Sequence, residues 1–389
     1  MFDASQWPLW VVIAAFVAAA VTIGVFGVRL TGVADRLSES TGLGQAVFGA
    51  VFLGGVTSLP GITTSVAAAA DGRAELAVSN ALGGIAAQTV FLSVADAAYL
   101  RANLEHAAAN VANLMQGALL TTLIALPLLA MAAPPLTIGG VHPISLLIII
   151  GYVFGIRLVG GARTTPMWAP EQTEETADED GSSPDSKSSG DDEGHGSAAR
   201  DGGAADEGSG RPDAGEEGDG DASEEDDGEG LKRPSARSWL LFAGLAAIVG
   251  GAGWVVASTG GEIATRTGLS DSVVGSFLTA IATSLPELVT AVAAVRRGAL
   301  TLAVGDVLGG NCFDVLFVSA ADIAYREGSI YEAIGANEQY VIALTVLLTG
   351  ILLLGLLRRE KHGIANIGFE SFLVIVLYVG SFVLMAFGS

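Results

Sequence analysis

The sequence is poor in charge, in cysteine and in basic residues. Of its 389 residues only 15% are charged, whereas 51% are hydrophobic, and mean hydropathy is +0.54. Soluble domains rarely combine so much apolar residue with so little charge, so the chain belongs in a membrane. A single cysteine, Cys312, excludes an internal disulfide framework and any multi-cysteine metal site. No phosphate-cradling loop, nucleophile triad or zinc-ligand spacing is present, which argues against an enzyme and against an ATP-driven pump. With 19 Lys and Arg against 41 Asp and Glu, there is no basic face for nucleic acid. The formal net charge of −22 is local in origin. Residues 171–230 hold 23 of the 41 acidic residues and only three basic ones, Lys187, Arg200 and Arg211. The rest of the chain carries 18 acids and 16 bases, a net of −2.

What is abundant is long apolar runs. They fall at 8–30, 43–70, 74–98, 109–132, 141–162, 237–259, 269–295, 300–323, 339–357 and 366–387. Crossing a hydrocarbon core of about 30 Å takes about 20 helical residues. Lipid leaves only helices or closed barrels as ways to satisfy the backbone, so ten transmembrane helices are expected in an all-α integral membrane protein. The first run has no basic flank and is longer than a signal-peptide core, so it reads as a retained span.

Loop charges set the expected orientation. With the N-terminus outside, 13 Lys and Arg residues fall in cytoplasmic segments, the acidic tract set aside. Only Arg73, Arg266 and Arg326 then fall outside. That bias places both termini outside the cell membrane. The segment 166–236, made largely of Gly, Ser, Asp and Glu, becomes a cytoplasmic linker. It has too little apolar surface to offset chain entropy, so disorder is expected. A weak calcium-sensing or partner-binding role is the alternative to a solvated tether.

An internal repeat organises the rest. Residues 42–99 align with 268–325 at an offset of 226, with 25 of 58 positions identical and no gap. Each copy holds the second and third spans of a five-span half. Five is odd, so the second copy enters the membrane from the opposite side. The expected domains are a first five-helix repeat (1–165), the linker (166–236) and a second five-helix repeat (237–389). Two inverted five-helix repeats are a transporter architecture, with the site near the midplane between them.

Polar residues inside such spans need an explanation. Copy one carries Thr57-Ser58-Leu59-Pro60-Gly61 in mid-span, and copy two carries Thr283-Ser284-Leu285-Pro286-Glu287. Proline removes a backbone donor and clashes one turn back, freeing carbonyls near Val56 and Ala282. Those carbonyls, with the Thr and Ser hydroxyls, form a hard-oxygen cage suited to Na⁺ or Ca²⁺. Glu287 adds a carboxylate one turn beyond Thr283 on the same face. A plain proline kink with back-bonded hydroxyls would explain one copy, but not two at equal repeat positions. The following helices carry Ser79-Asn80-Ala81-Leu82-Gly83-Gly84 through Gln88, and Gly305-Asp306-Val307-Leu308-Gly309-Gly310-Asn311 through Asp314. Glycine pairs allow close helix approach, but packing does not account for an intramembrane Asp314.

These elements resemble those of the cation/calcium exchanger superfamily, which includes the sodium/calcium exchangers. VTSLPG and ATSLPE are similar to its first α-repeat element, and SNALGGIAAQ and GDVLGGNCFD to its second. The resemblance implies a secondary antiporter exchanging Na⁺ for Ca²⁺ without a cofactor, working by alternating access as spans one and six slide past the rest. By position it implies Thr57, Ser58, Gln88, Thr283, Ser284, Glu287 and Asp314 as cation ligands. Gly61 stands where the family has its first glutamate, Gly84 and Gly310 where it has serines, and Ile85 where it has an asparagine. The implied site therefore has two carboxylates, both from copy two. Exchange of Na⁺ for H⁺ or another monovalent cation on the same fold is the alternative, and a non-transporting sensor or scaffold is the rival from another class. Asp96 and Asp322 form a further matched pair. They read either as cation-attracting mouths or as helix-end carboxylates bonded to headgroups, or to Tyr99 and Tyr325. Glu370 reads as interfacial and Cys312 as a packing residue.

Overall fold

Apolar periodicity, prolines and glycines set where the helices of this chain begin, bend and touch. The structure, a computed structural model, describes residues 4–40, 54–98, 110–164, 236–358 and 368–387. Apart from one isolated bridge between Ile138 and Val141, regular structure among the described residues is helical. Besides the short turns Ala4–Gln6 and Ile330–Ala333, the helices are Leu9–Ser40 (α1), Leu59–Ala70 (α2), Ala74–Ala98 (α3), Val111–Ala132 (α4), Pro143–Thr164 (α5) and Ala236–Thr267 (α6). They continue as Asp271–Thr283 (α7) and Leu285–Arg296 (α8), then Leu300–Asp314 (α9), Leu316–Ala324 (α10), Ala336–Arg358 (α11) and Phe369–Phe387 (α12).

Among the described residues, eight helices are long and apolar enough to cross a bilayer, with Leu300–Ala324 taken as one. The bent pair α7–α8 raises the number to nine, and α2 is a shorter apolar helix. Each falls on an expected span, although the start of the span at 43–70 lies outside the described residues, as does nearly all of the linker. Two boundaries differ. α1 and α6 are each 32 residues long, about 48 Å at 1.5 Å per residue. Both run well past the expected ends at 30 and 259. Hydropathy marks where a helix leaves the lipid; Arg29, Asp35, Arg36 and Glu262 stop the apolar run without breaking the helix.

α3 is the axial helix. Its apolar window is 94% buried, against 28% for α1, α5 and α12, which lie at the periphery. Small residues make this possible. A Cβ on Gly83 would lie 2.4 Å from Ser276 Cα, and one on Gly275 would lie 2.7 Å from Ser79 Cβ. Two backbones therefore cross where neither residue has a side chain. The partner segment, Val274–Thr279, is a π-helical turn within α7. The peripheral helices expose Val17, Ile150, Phe154, Leu240, Leu354, Phe372 and Val383. An apolar surface of this kind is a liability in water and the expected outer face in lipid.

Candidate cation site

The site is built where two helices break. Ser58 and Ser284 occupy equal repeat positions, with φ −82°, ψ 2° and φ −97°, ψ 13°, and each precedes a helix with proline in its first turn. Pro60 and Pro286 have no N–H to give one turn back, so the helix restarts on a new axis. α7 and α8 meet there at a 53° bend. Thr57 donates to Gly54 O at 3.0 Å, and Thr283 donates to Thr279 O at 2.9 Å and Ala280 O at 3.2 Å. These bonds use each hydroxyl's hydrogen and leave oxygen lone pairs for a cation.

The two copies bond to each other crosswise. Ser58 Oγ donates to Asp314 Oδ1 at 2.5 Å, and Gln88 Nε2 donates to Asp314 Oδ2 at 2.6 Å. Gln88 Nε2 also reaches Ser284 Oγ at 3.4 Å. Thus the serine of each break meets the polar residue at the matched position on the other copy's following helix. All four residues are buried. Glu287 follows Ser284 by three residues, in the first turn of α8. Its Oε2 is shut off from solvent with no hydrogen-bond partner among the described residues. Of the seven expected ligands, Ser58, Gln88, Ser284 and Asp314 form one network, Glu287 adjoins it, and Thr57 and Thr283 flank the breaks. In this arrangement Gln88 acts as a donor that holds Asp314. A Cβ on Gly84 would lie 3.6 Å from Ser284 Oγ and one on Gly310 3.9 Å from Gln88 Oε1, so both glycines border the site.

Sequence reasoning passed over several participants. Asn80 donates to Gly61 O at 3.2 Å and Ser65 Oγ at 2.9 Å, and accepts from Thr279 Oγ1 at 2.8 Å. It ties α2, after the first break, and α7, before the second, to α3, and its place inside the matched motif is the available signal. Asn311 is fully buried with neither amide atom bonded among the described residues. A Cβ on Gly61 would sit 2.7 Å from Phe317 Cε2, so an aromatic ring occupies the space ahead of that glycine. Glu338 is buried and accepts from Ser79 at 3.2 Å, from Ser272, and from Gly335 N at 2.9 Å.

The other singled-out residues resolve as follows. Asp322 is fully buried and accepts from His142 N at 2.8 Å, Ser145 Oγ at 2.7 Å and Ile330 N at 2.9 Å. It is neither a mouth nor a partner of Tyr325, whose hydroxyl donates to Glu327 at 3.4 Å. Three donors from α5, its N-terminal approach and the segment after α10 hold this carboxylate, so it fastens those elements together. Asp96 is also fully buried, which does not suit a mouth; Tyr99 lies outside the described residues. Glu370, in the first turn of α12, is buried and pairs at 3.2 Å with Arg358 at the end of α11. Cys312 is buried and donates weakly to Gln116 O at 3.4 Å, a packing role. Among the described residues no three His, Cys, Asp or Glu side chains gather to hold a resident metal. The donor set is hydroxyl, amide and two carboxylates, which suits a hard cation passing through.

Paired intramembrane helix breaks around buried carboxylates define a multi-pass helical membrane protein of the ion-transporter class. The chain belongs to the sodium/calcium exchanger protein family, which matches it over residues 11–158 and 237–387. That is a family of exchangers, not of enzymes, in which cations are cargo rather than cofactors. The sodium/calcium exchanger MaX1 of Methanosarcina acetivorans is 30% identical over 114 residues, 29% of this chain and 33% of that protein. The inner membrane protein YrbG of Escherichia coli is 36% identical over 78 residues, 20% of this chain and 24% of that protein. The chain thus spans about a third or less of the curated relatives it matches. In fold it is similar to the sodium-calcium exchanger NCX_Mj (TM-score 0.54, 15% identity, 96% of this chain and 98% of that one). It is also similar to the H⁺/Ca²⁺ exchanger CAX (TM-score 0.59, 12% identity, 95% of this chain and 81% of that one).

Proposed function

We propose that this protein is a secondary cation antiporter that exchanges Na⁺ for Ca²⁺ by alternating access, at a midplane site between two inverted five-helix repeats. Residues 1–165 and 237–389 are the repeats, with ten spans, both termini outside and 166–236 as a cytoplasmic linker. The single observation that carries this reading is the crosswise bonding of Ser58 to Asp314 and of Gln88 to Ser284. Equal positions in two copies make reciprocal contacts only if a pseudo-twofold axis relates them. Thr57, Ser58, Gln88, Thr283, Ser284, Glu287 and Asp314 are the proposed ligands, with the carboxylates of Glu287 and Asp314 supplying the charge that attracts a cation into lipid depth.

The moving parts are read from the same symmetry. Gly27 of α1 and Gly253 of α6 stand 226 residues apart. A Cβ on Gly27 would lie 2.4 Å from Pro286 Cγ, and one on Gly253 2.6 Å from Pro60 O. Each long helix thus presents a smooth glycine to the proline of one break, and α1 with α6 slides over the site to expose it to either side in turn. The missing first-repeat carboxylate at Gly61 favours a second reading, exchange of monovalent cations on the same fold.

The test is radiolabelled Ca²⁺ uptake into proteoliposomes under an imposed Na⁺ gradient, comparing wild type with Glu287→Gln. Gradient-driven uptake that the variant loses is the expected result. A folded wild type that takes up no Ca²⁺ but moves H⁺ against Na⁺ would transfer the assignment to the second reading.

A further inference from the structure

The two halves of the site differ in a way that the repeat alone does not require. In copy two, Glu287 Oε2 and both amide atoms of Asn311 are buried without partners among the described residues. In copy one the matching space is filled. The ring of Phe317, itself buried, stands 2.7 Å from where a Cβ on Gly61 would be. Phe313 backs the same wall, with its Cζ 3.3 Å from the Cβ position of Gly55 and its ring 6.2 Å from that of Phe317. Gly61 O and Ser65 Oγ are taken up by Asn80. Phe91 is the repeat equivalent of Phe317, so in copy two a phenylalanine and Glu287 coexist.

Charge then limits what the site can carry. Among the described residues the carboxylates at the breaks are those of Asp314, which is buried, and Glu287, which is partly buried with its Oε2 shut off from solvent. Asp322 and Glu338 are each held by three hydrogen bonds elsewhere. Asp96 lies eight residues beyond Gln88, about 12 Å along the helix. Asp306 is exposed on the outer side of α9, unlike Asp314. Building on the antiporter reading above, we infer that Phe317 closes the first-repeat half of the site, which leaves a two-charge centre that exchanges one divalent cation for two monovalent cations without moving net charge. Both loaded states are neutral, which is the condition for carrying a closed site through a low-dielectric region at low cost.

The experiment measures coupling at equilibrium in proteoliposomes holding the full chain, with Na⁺ and Ca²⁺ as the cations and the potential set by K⁺ and valinomycin. Imposing a tenfold K⁺ gradient should leave the equilibrium Ca²⁺ ratio unchanged, whereas each net charge moved would shift it about tenfold. Raising the Na⁺ ratio tenfold should change the Ca²⁺ ratio about 100-fold, and about 1,000-fold if three Na⁺ move. Voltage dependence or the steeper Na⁺ response in wild type overturns the two-charge centre while leaving antiport intact. Absence of any Ca²⁺ flux overturns both. The double variant Gly61→Glu/Phe317→Ala roughly conserves volume and adds a third carboxylate, so its Ca²⁺ ratio should become voltage-dependent; a loss of packing alone would not move that slope.

Discussion

Replacing Asp322 with Asn separates a structural carboxylate from a transport carboxylate. Asp322 accepts three hydrogen bonds, from His142 N, Ser145 Oγ and Ile330 N, and is fully buried. Asparagine keeps the shape but offers one acceptor oxygen. If that oxygen keeps the His142 and Ser145 bonds, the new NH₂ faces Ile330 N, donor against donor. Two bonds then fall from charge-assisted to neutral strength, a loss of about 1 kcal/mol each, and one buried donor left unsatisfied costs about 1–3 kcal/mol. The sum is about 3–5 kcal/mol, a drop in melting temperature of about 6–10 °C at about 2 °C per kcal/mol for a large chain. Ser145→Ala removes one of the three bonds and should cost about 1.5–3 kcal/mol. Thermal unfolding in detergent reads the shift, and flux per folded protein reads transport. A structural role for Asp322 gives a lower melting temperature with unchanged apparent Na⁺ and Ca²⁺ affinities. A stable Asp322→Asn protein with altered cation affinity would refute it and return this residue to the mouth of a pathway.

Three further outcomes follow from the same geometry. Gly253→Ala should slow turnover more than Gly27→Ala, because the added methyl meets the Pro60 backbone in one case and only the Pro286 ring in the other; overpacking costs about 1–3 kcal/mol, and initial flux rates with melting curves check the ranking. Asp314→Asn should abolish cation-induced thermal stabilisation, which in wild type reaches about 2.7 kcal/mol at a hundredfold excess of ligand over Kd; an unchanged shift would remove Asp314 from the ligand set. Deleting residues 175–228 should leave Na⁺-driven Ca²⁺ flux within about twofold of wild type, as the segment's sequence offers almost no large apolar residue to pack. Loss of flux in that variant would make the acidic segment a working part.

The repeat offset made much of this legible before any coordinates. The matched positions of Ser58 with Ser284 and of Gln88 with Asp314 lie in the sequence, and the crosswise network joins those same positions. The prolines marked the breaks, because an absent N–H is a local property that needs no tertiary information. What stayed hidden depends on which helix faces which. Phe317 looked like one apolar residue among many, and only packing shows it covering Gly61. Glu338 sits at the start of α11, where an acid reads as an exposed helix end, yet Ser79 and Ser272 on other helices bury it. Asp322 was recognised as unusual, but its donors lie 180, 177 and 8 residues away in sequence. The hydropathic runs of α1 and α6 stop before the helices do, because charge ends a hydropathic run without ending a helix.

The central claim is that both repeats contribute to one cation site. Crystals of the protein soaked in Sr²⁺ as an electron-dense stand-in for Ca²⁺, and measured at its absorption edge, test it most directly. A shared site gives one strong anomalous peak bounded by the carboxylates of Glu287 and Asp314 and the hydroxyls of Ser58 and Ser284, at oxygen distances of about 2.3–2.6 Å or slightly longer for the larger ion. A peak confined to other acidic residues, or none in soaks where Sr²⁺ blocks Ca²⁺ flux, would contradict it.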